Sequence, residues 1–108
     1  MKGLPPALKR KKRYIAFQLI SEKPVDASTL WREIVNTSLS LFGEVFADPM
    51  LKLEYFDGGR GVLRCSREEL DKAIIVLSLL NEVGGGRVAA MTLGVSGTIK
   101  SCMRKFVR

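Results

Sequence analysis

The chain has 108 residues, 46% of them hydrophobic, a formal net charge of +7 and no histidine. That size and apolar content suit one domain with a real core and exclude a disordered chain. The missing histidine removes the Ser-His and Cys-His nucleophile pairs and the commonest transition-metal ligand, and the longest apolar stretch, Ala73–Leu80, is too short to cross a bilayer.

The first 14 residues carry Lys2, Lys9, Arg10, Lys11, Lys12 and Arg13 and no acid; residues 99–108 carry Lys100, Arg104, Lys105 and Arg108 and no acid. Between them lie eight basic and eleven acidic residues, so the basicity sits at the two ends. Cations at such density repel one another until a polyanion neutralises them, and nucleic-acid phosphate does so with release of counterions. A solvated tail is the plainer alternative. Residues 1–12, with Pro5 and Pro6 beside the charge run, read as a basic, flexible N-terminal tail. Residues 13–108 read as a single domain.

Arg13–Glu22 alternates, with Ile15, Phe17 and Leu19 on one parity and Tyr14 and Gln18 on the other, as in a strand with one face in the core. Pro24 breaks it. Asp26 caps a helix whose apolar positions, Leu30, Trp31, Ile34, Val35, Leu39 and Phe42, recur at three and four, and Gly43 stops it. Asp48-Pro49 marks a turn, and Met50–Phe56 alternates again. The glycine-rich Asp57–Gly61 predicts a hairpin, with Gly61–Cys65 as the return strand. Ser66 and Glu69 have capping-box spacing and predict a helix to about Val83, stopped by Gly84-Gly85-Gly86. Its stripe of Leu70, Ala73, Ile74, Leu77 and Leu80 is widened by Ile75, Val76 and Leu79, so burial is expected over display to a partner. Val88–Val95 is a fourth strand, and Ser96-Gly97-Thr98 opens a short last helix through Ile99, Met103 and Phe106.

This β-α-β-β-α-β order plus a helix is the ferredoxin-like, RRM-like plan, an α+β two-layer sandwich on a four-stranded antiparallel sheet. Its first and last strands are neighbours, which carries the two basic ends to one side. Ser96-Gly97-Thr98-Ile99-Lys100, between strand and helix, reads either as a generic anion site or as an ordinary N-cap by Ser96. Arg64 on the third strand, with Arg60 and Arg67 in the turns on either side, can touch phosphate, stack on a base or stay solvated. Base stacking in the RRM manner needs aromatics on the open sheet face, and the third strand has none. The last helix is expected to cover that face with Ile99, Met103 and Phe106. Gly58–Gly61 and Gly94–Gly97 match the G-x-x-G of KH domains without its flanking helices. Cys65 and Cys102 belong to no Cys-x-x-Cys pair and read as reduced core thiols of a cytoplasmic protein.

Four segments carry a resemblance: Lys11-Lys12-Arg13-Tyr14-Ile15, Leu41-Phe42-Gly43, Gly61-Val62-Leu63-Arg64-Cys65 and Val95-Ser96-Gly97-Thr98-Ile99-Lys100. Together they resemble the ribonuclease P protein component 2 family of archaea, whose counterpart is shared by eukaryotic RNase P and RNase MRP. The resemblance implies a non-catalytic protein subunit of an endoribonuclease that removes the 5′ leader of precursor tRNA. The RNA subunit, with Mg²⁺, carries the chemistry, and the protein itself binds no cofactor. The implied partners are RNase P RNA, precursor tRNA, RNase P protein component 3 and a second copy of the chain. By position the family marks Arg13, Tyr14, Arg64, Ser96, Gly97, Thr98 and Lys100 as RNA- or assembly-contact residues. Charge adds Lys9, Arg10, Lys11, Lys12, Arg104 and Lys105, and place beside Arg64 adds Arg60 and Arg67. An RNA-binding adaptor on the same fold, outside RNase P, is the alternative. An acylphosphatase-like enzyme needs a phosphate-cradling loop with an arginine after the first strand; Ser21–Asp26 has neither arginine nor glycine.

Overall fold

The computed structural model describes residues 11–43, 48 and 50–107. In chain order the elements are β1 (Lys12–Ser21), α1 (Ala27–Phe42), β2 (Lys52–Phe56), β3 (Arg60–Ser66), a 3-10 turn (Arg67–Glu69), α2 (Leu70–Ser78), β4 (Glu82–Val83), β5 (Gly86–Ser96) and α3 (Ile99–Cys102). α3 runs on as a π-helical turn over Met103–Val107. The strands form a five-stranded antiparallel sheet in the order β2-β3-β1-β5-β4.

α1 begins and ends where its residues dictate. The Asp26 Oδ1 accepts the Thr29 backbone N–H at 2.8 Å, and Gly43, at φ 63, donates its N–H to the Leu39 carbonyl. α1 buries Leu30 and Ile34, and α2 buries Ala73, Val76 and Leu77, against Ile15, Phe17, Leu19, Leu63 and Cys65 of the inner sheet face. The fully buried Phe17 ring stacks on Phe56 with centroids 6.2 Å apart. Truncating a buried leucine such as Leu77 in this layer costs about 2–5 kcal/mol.

The outer sheet face is covered in part by α3 and the turn that follows it. Tyr14, Ala16, Val62 and Cys102 form a second buried cluster beneath Ile99, Met103 and Phe106. β1 is therefore buried on both faces over Tyr14–Phe17, not on one as the alternation suggested.

Other local expectations also give way. α2 stops at Ser78 instead of near Val83, because the following residues find a strand partner. Gly84 and Gly85, at φ 61 and 83, turn a tight hairpin between β4 and β5, and Val83 pairs with Gly86. These glycines shape a turn instead of stopping a helix, and β4 adds a fifth strand to the expected four. The capping box does not form: Ser66 is the fully buried last residue of β3 and makes no cap bond, and the turn after it is 3-10. Ser96 likewise stays in β5, opposite Tyr14. Thr98 caps α3 in its place, its hydroxyl oxygen accepting the Ser101 N–H at 3.2 Å. α2 is also less covered than expected: Ile75 is 43% exposed, and Leu79, just past its end, 51%.

Candidate nucleic-acid interface

Strand pairing brings the two chain ends together. Lys12 lies opposite Ser66, Tyr14 lies opposite Ser96, and the Arg67 N–H donates to the Lys11 carbonyl at 2.8 Å. Lys11, Lys12, Arg13 and Arg67 thus share one end of the sheet with Gly97 and Thr98, and Lys100 stands just beyond them. Lys11, Lys12, Arg67 and Lys100 are exposed, and Arg13 is half-buried. The Arg13 guanidinium donates to the Lys12 carbonyl at 2.8 Å. Among the described residues no carboxylate forms an ion pair with these five side chains. Such a cluster attracts phosphate, with an affinity that falls as salt rises. Lys100 and Arg104 flank Ile99 and Met103 in an open groove on the last helix, and Lys105 is exposed beside them.

The other candidates have different surroundings. The Arg64 Nη1 meets Glu54 Oε2 at 3.1 Å, and its Nε donates to the Met50 carbonyl at 2.8 Å. Arg60 Nη1 donates to the Phe106 carbonyl at 2.8 Å. Tyr14 and Ser96 are buried, and Cys102 Sγ donates to the Tyr14 carbonyl at 3.6 Å. Lys9 and Arg10, with the rest of the basic run before Lys11, lie outside the described residues.

Residues 13–107 match the family model of the Rpp14/Pop5 family. The chain belongs to this family. It is 57% identical over 107 residues to ribonuclease P protein component 2 of Archaeoglobus fulgidus, covering 99% of this chain and 98% of the relative. To the protein of the same name from Pyrococcus furiosus it is 38% identical over 109 residues, covering 98% and 91%. A chain in the cryo-EM structure of yeast ribonuclease MRP shares the fold, with a TM-score of 0.68 at 15% identity, covering 82% of this chain and 76% of the other.

In this Rpp14/Pop5 chain two acids outside the predicted site hold β3 and its arginine in place. Asp48 Oδ2 accepts the Ser66 N–H at 2.9 Å, and Oδ1 accepts the Met50 N–H at 3.0 Å. Asp48 thereby anchors the end of β3 next to Arg67. The sequence marked Asp48 only as a turn residue; its Ser66 partner lies 18 residues away, outside any local pattern. Glu54 was within reach of the sequence: laying β2 against β3 pairs Lys52 with Arg64 and brings Glu54 near the same arginine. Burial, with Asp48 adding to it, pushes the Cys65 thiol up to about 12, and burial raises Cys102 as well. Neither is poised as a thiolate nucleophile. Among the described residues no three His, Cys, Asp or Glu side chains cluster as metal ligands would, and no helix is long and apolar enough to cross a membrane.

Proposed function

We propose that this Rpp14/Pop5 chain is a protein subunit of ribonuclease P, acting in the cytoplasm to help a catalytic RNA remove the 5′ leader from precursor tRNA. The observation that carries the reading is the meeting of Lys11, Lys12, Arg13, Arg67 and Lys100 at one end of the sheet. The full-length identity to proteins named ribonuclease P protein component 2 supports the assignment of partner. In this reading the five cations, extended by Lys9, Arg10, Arg104 and Lys105, contact RNA phosphates, screen repulsion between RNA segments and lower the demand for Mg²⁺ held by the RNA. Gly97 and Thr98 lie in the same contact surface. Tyr14, Arg60, Arg64 and Ser96 act by shaping it. β1, β2, β3 and β5 are read as the ferredoxin-like core, with β4 as an addition to its rim. Component 3 and a second copy of the chain are the proposed protein partners. The exposed Leu39, Leu41, Ile75 and Leu79 supply apolar surface of the kind a protein covers.

The test is precursor-tRNA cleavage by archaeal RNase P RNA at limiting Mg²⁺, with component 3 alone and then with this chain added. The rate should rise on addition, and the two proteins without RNA should cleave nothing. An unchanged rate while the chain still binds the RNA would move the reading to a separate RNA-binding adaptor.

A further inference from the structure

The last helix closes the sheet face on which an RRM stacks its bases, and it turns a groove of its own outward. Cys102 is its fully buried residue, packed with Tyr14, Ala16 and Val62. Ile99 and Met103, one turn apart, rest partly on that cluster and also line the groove. Lys100 and Arg104, again one turn apart, line it beside them and are exposed. The groove thus carries two parallel ridges, one apolar and one cationic, each about 6 Å long. Among the described residues no carboxylate forms an ion pair with either cation, and residues 99–108 contain no acid. Beyond Met103 the apolar ridge turns inward: Phe106 lies over Gly94, and Val107 packs on the buried cluster. The groove measures about 370 Å³, near the lower end of the range for ligand pockets.

We propose, resting on the RNA-binding part of the proposed function, that this groove seats one unpaired purine of an RNA strand. The base lies against Ile99 and Met103, and the neighbouring phosphates meet Lys100 and Arg104. Charge and length select this occupant. The two cations call for an anion, and the apolar ridge beside them calls for a flat, weakly hydrated face on the same ligand. A nucleotide joins the two. A fused two-ring base spans both Ile99 and Met103, where a single ring covers one. The Met103 thioether is polarisable and adapts to an aromatic face. Duplex RNA keeps its bases stacked and offers the groove phosphate alone. An acidic amphipathic helix would anchor at i, i+3, i+4 and i+7, and the ridge is one turn long. The groove also starts at the basic end of the sheet, since Ser96 lies opposite Tyr14 and Thr98 caps the helix two residues on. One RNA strand can therefore reach both.

The test is the methionine-methyl NMR spectrum of the whole chain, titrated with an abasic RNA strand about six nucleotides long that carries one adenine. The ring current of a seated base should move the Met103 methyl upfield and leave that of Met91, exposed on β5, in place. The same strand without adenine should bind roughly fivefold more weakly and leave Met103 unmoved. Lys100→Gln combined with Arg104→Gln, both at exposed positions, should remove most of the Met103 shift at the same strand concentration. No upfield shift at saturation overturns the slot, and so does equal binding of the two strands. An equal shift from duplex RNA overturns the unpaired base. Adenosine monophosphate binding as tightly as the adenine strand makes the groove a free-nucleotide site, and an acidic amphipathic peptide that displaces the strand at lower concentration makes it a protein site; either overturns the proposal. Binding of both strands without a shift removes the slot alone. Binding of neither removes the slot and the RNA reading together, so the two failures are distinct.

Discussion

The ring of Phe106 occupies the space over Gly94 that a side chain at that strand position would fill. A Cβ on residue 94 would collide with the ring edge. The glycine lets the C-terminal helical segment lie flat on the outer sheet face, and Arg60 fixes its far end through the Phe106 carbonyl. The cover over Tyr14, Ala16, Val62 and Cys102 depends on this close approach.

Gly94→Ala should therefore destabilise the protein by about 1–3 kcal/mol, as overpacking does, although alanine is otherwise no worse in a strand than glycine. The check is a double-mutant cycle with Phe106→Ala, read by denaturant unfolding. The second substitution removes the collision, so the pair should cost less than the sum of the single changes. Strict additivity would mean that ring and glycine do not share the space.

Arg64→Ala and Arg67→Ala should separate folding from RNA binding. The first strips the partner from Glu54 and from the Met50 carbonyl at a half-buried site, costing about 1–2 kcal/mol of stability. Its folded form should bind RNA within about twofold of the unaltered chain. Arg67→Ala should leave stability within about 0.5 kcal/mol and weaken RNA binding. Thermal melts and filter binding read both. A reversal of the two patterns would return Arg64 to the contact surface.

Replacing Lys9, Arg10, Lys11, Lys12 and Arg13 with uncharged residues should flatten the dependence of log affinity on log salt with little change in folding. Each phosphate that is no longer neutralised lowers that slope by about 0.7–0.9. Binding to RNase P RNA across a salt series gives the number. An unchanged slope would show that these cations do not face phosphate.

Acid should weaken the fold from one identifiable turn. The Asp57 carboxylate accepts the Arg60 N–H at 2.7 Å, the Gly59 N–H at 2.9 Å and the Tyr55 hydroxyl at 3.1 Å. These bonds, the Arg60 one foremost, hold its pKa below the ordinary 3.8. Thr29 and then Ser28 do the same for Asp26. A carboxyl depressed in the folded state contributes stability that is present above its unfolded pKa and lost as pH falls through the folded one. The unfolding midpoint should thus stay level from neutral pH down to the ordinary carboxylate range and drop below it. Asp57→Asn should shrink that drop, and an identical acid profile would remove Asp57 from the account.

What the sequence revealed was what neighbouring residues decide among themselves. Asp26 and Gly43 mark α1 because an N-cap and a left-handed C-cap are local chemistry. The Asp57–Gly61 hairpin was legible for the same reason. The cover over the outer sheet face followed from the lack of aromatics on β3, and the meeting of the basic ends followed from strand order. Gly84-Gly85 was misread because the same pair can stop a helix or turn a hairpin. The choice rests on whether Glu82 and Val83 find β5, a pairing no local window contains. Ser96 gives up the cap to Thr98 because pairing with Tyr14 holds it in the strand. Alternation in β1 alone reports one buried face; Tyr14 is buried by the cover that the last helix lays on the other.

β1 lies between β3 and β5, covered above and below over Tyr14–Phe17, and Lys12 and Arg13 are the residues just ahead of that segment. Local opening that frays the sheet from β2 or β4 reaches this strand last. The two cations are thus mounted on the part of the molecule that melts latest. If these cations face phosphate as proposed, a chain whose sheet rim has frayed would still hold the polyanion.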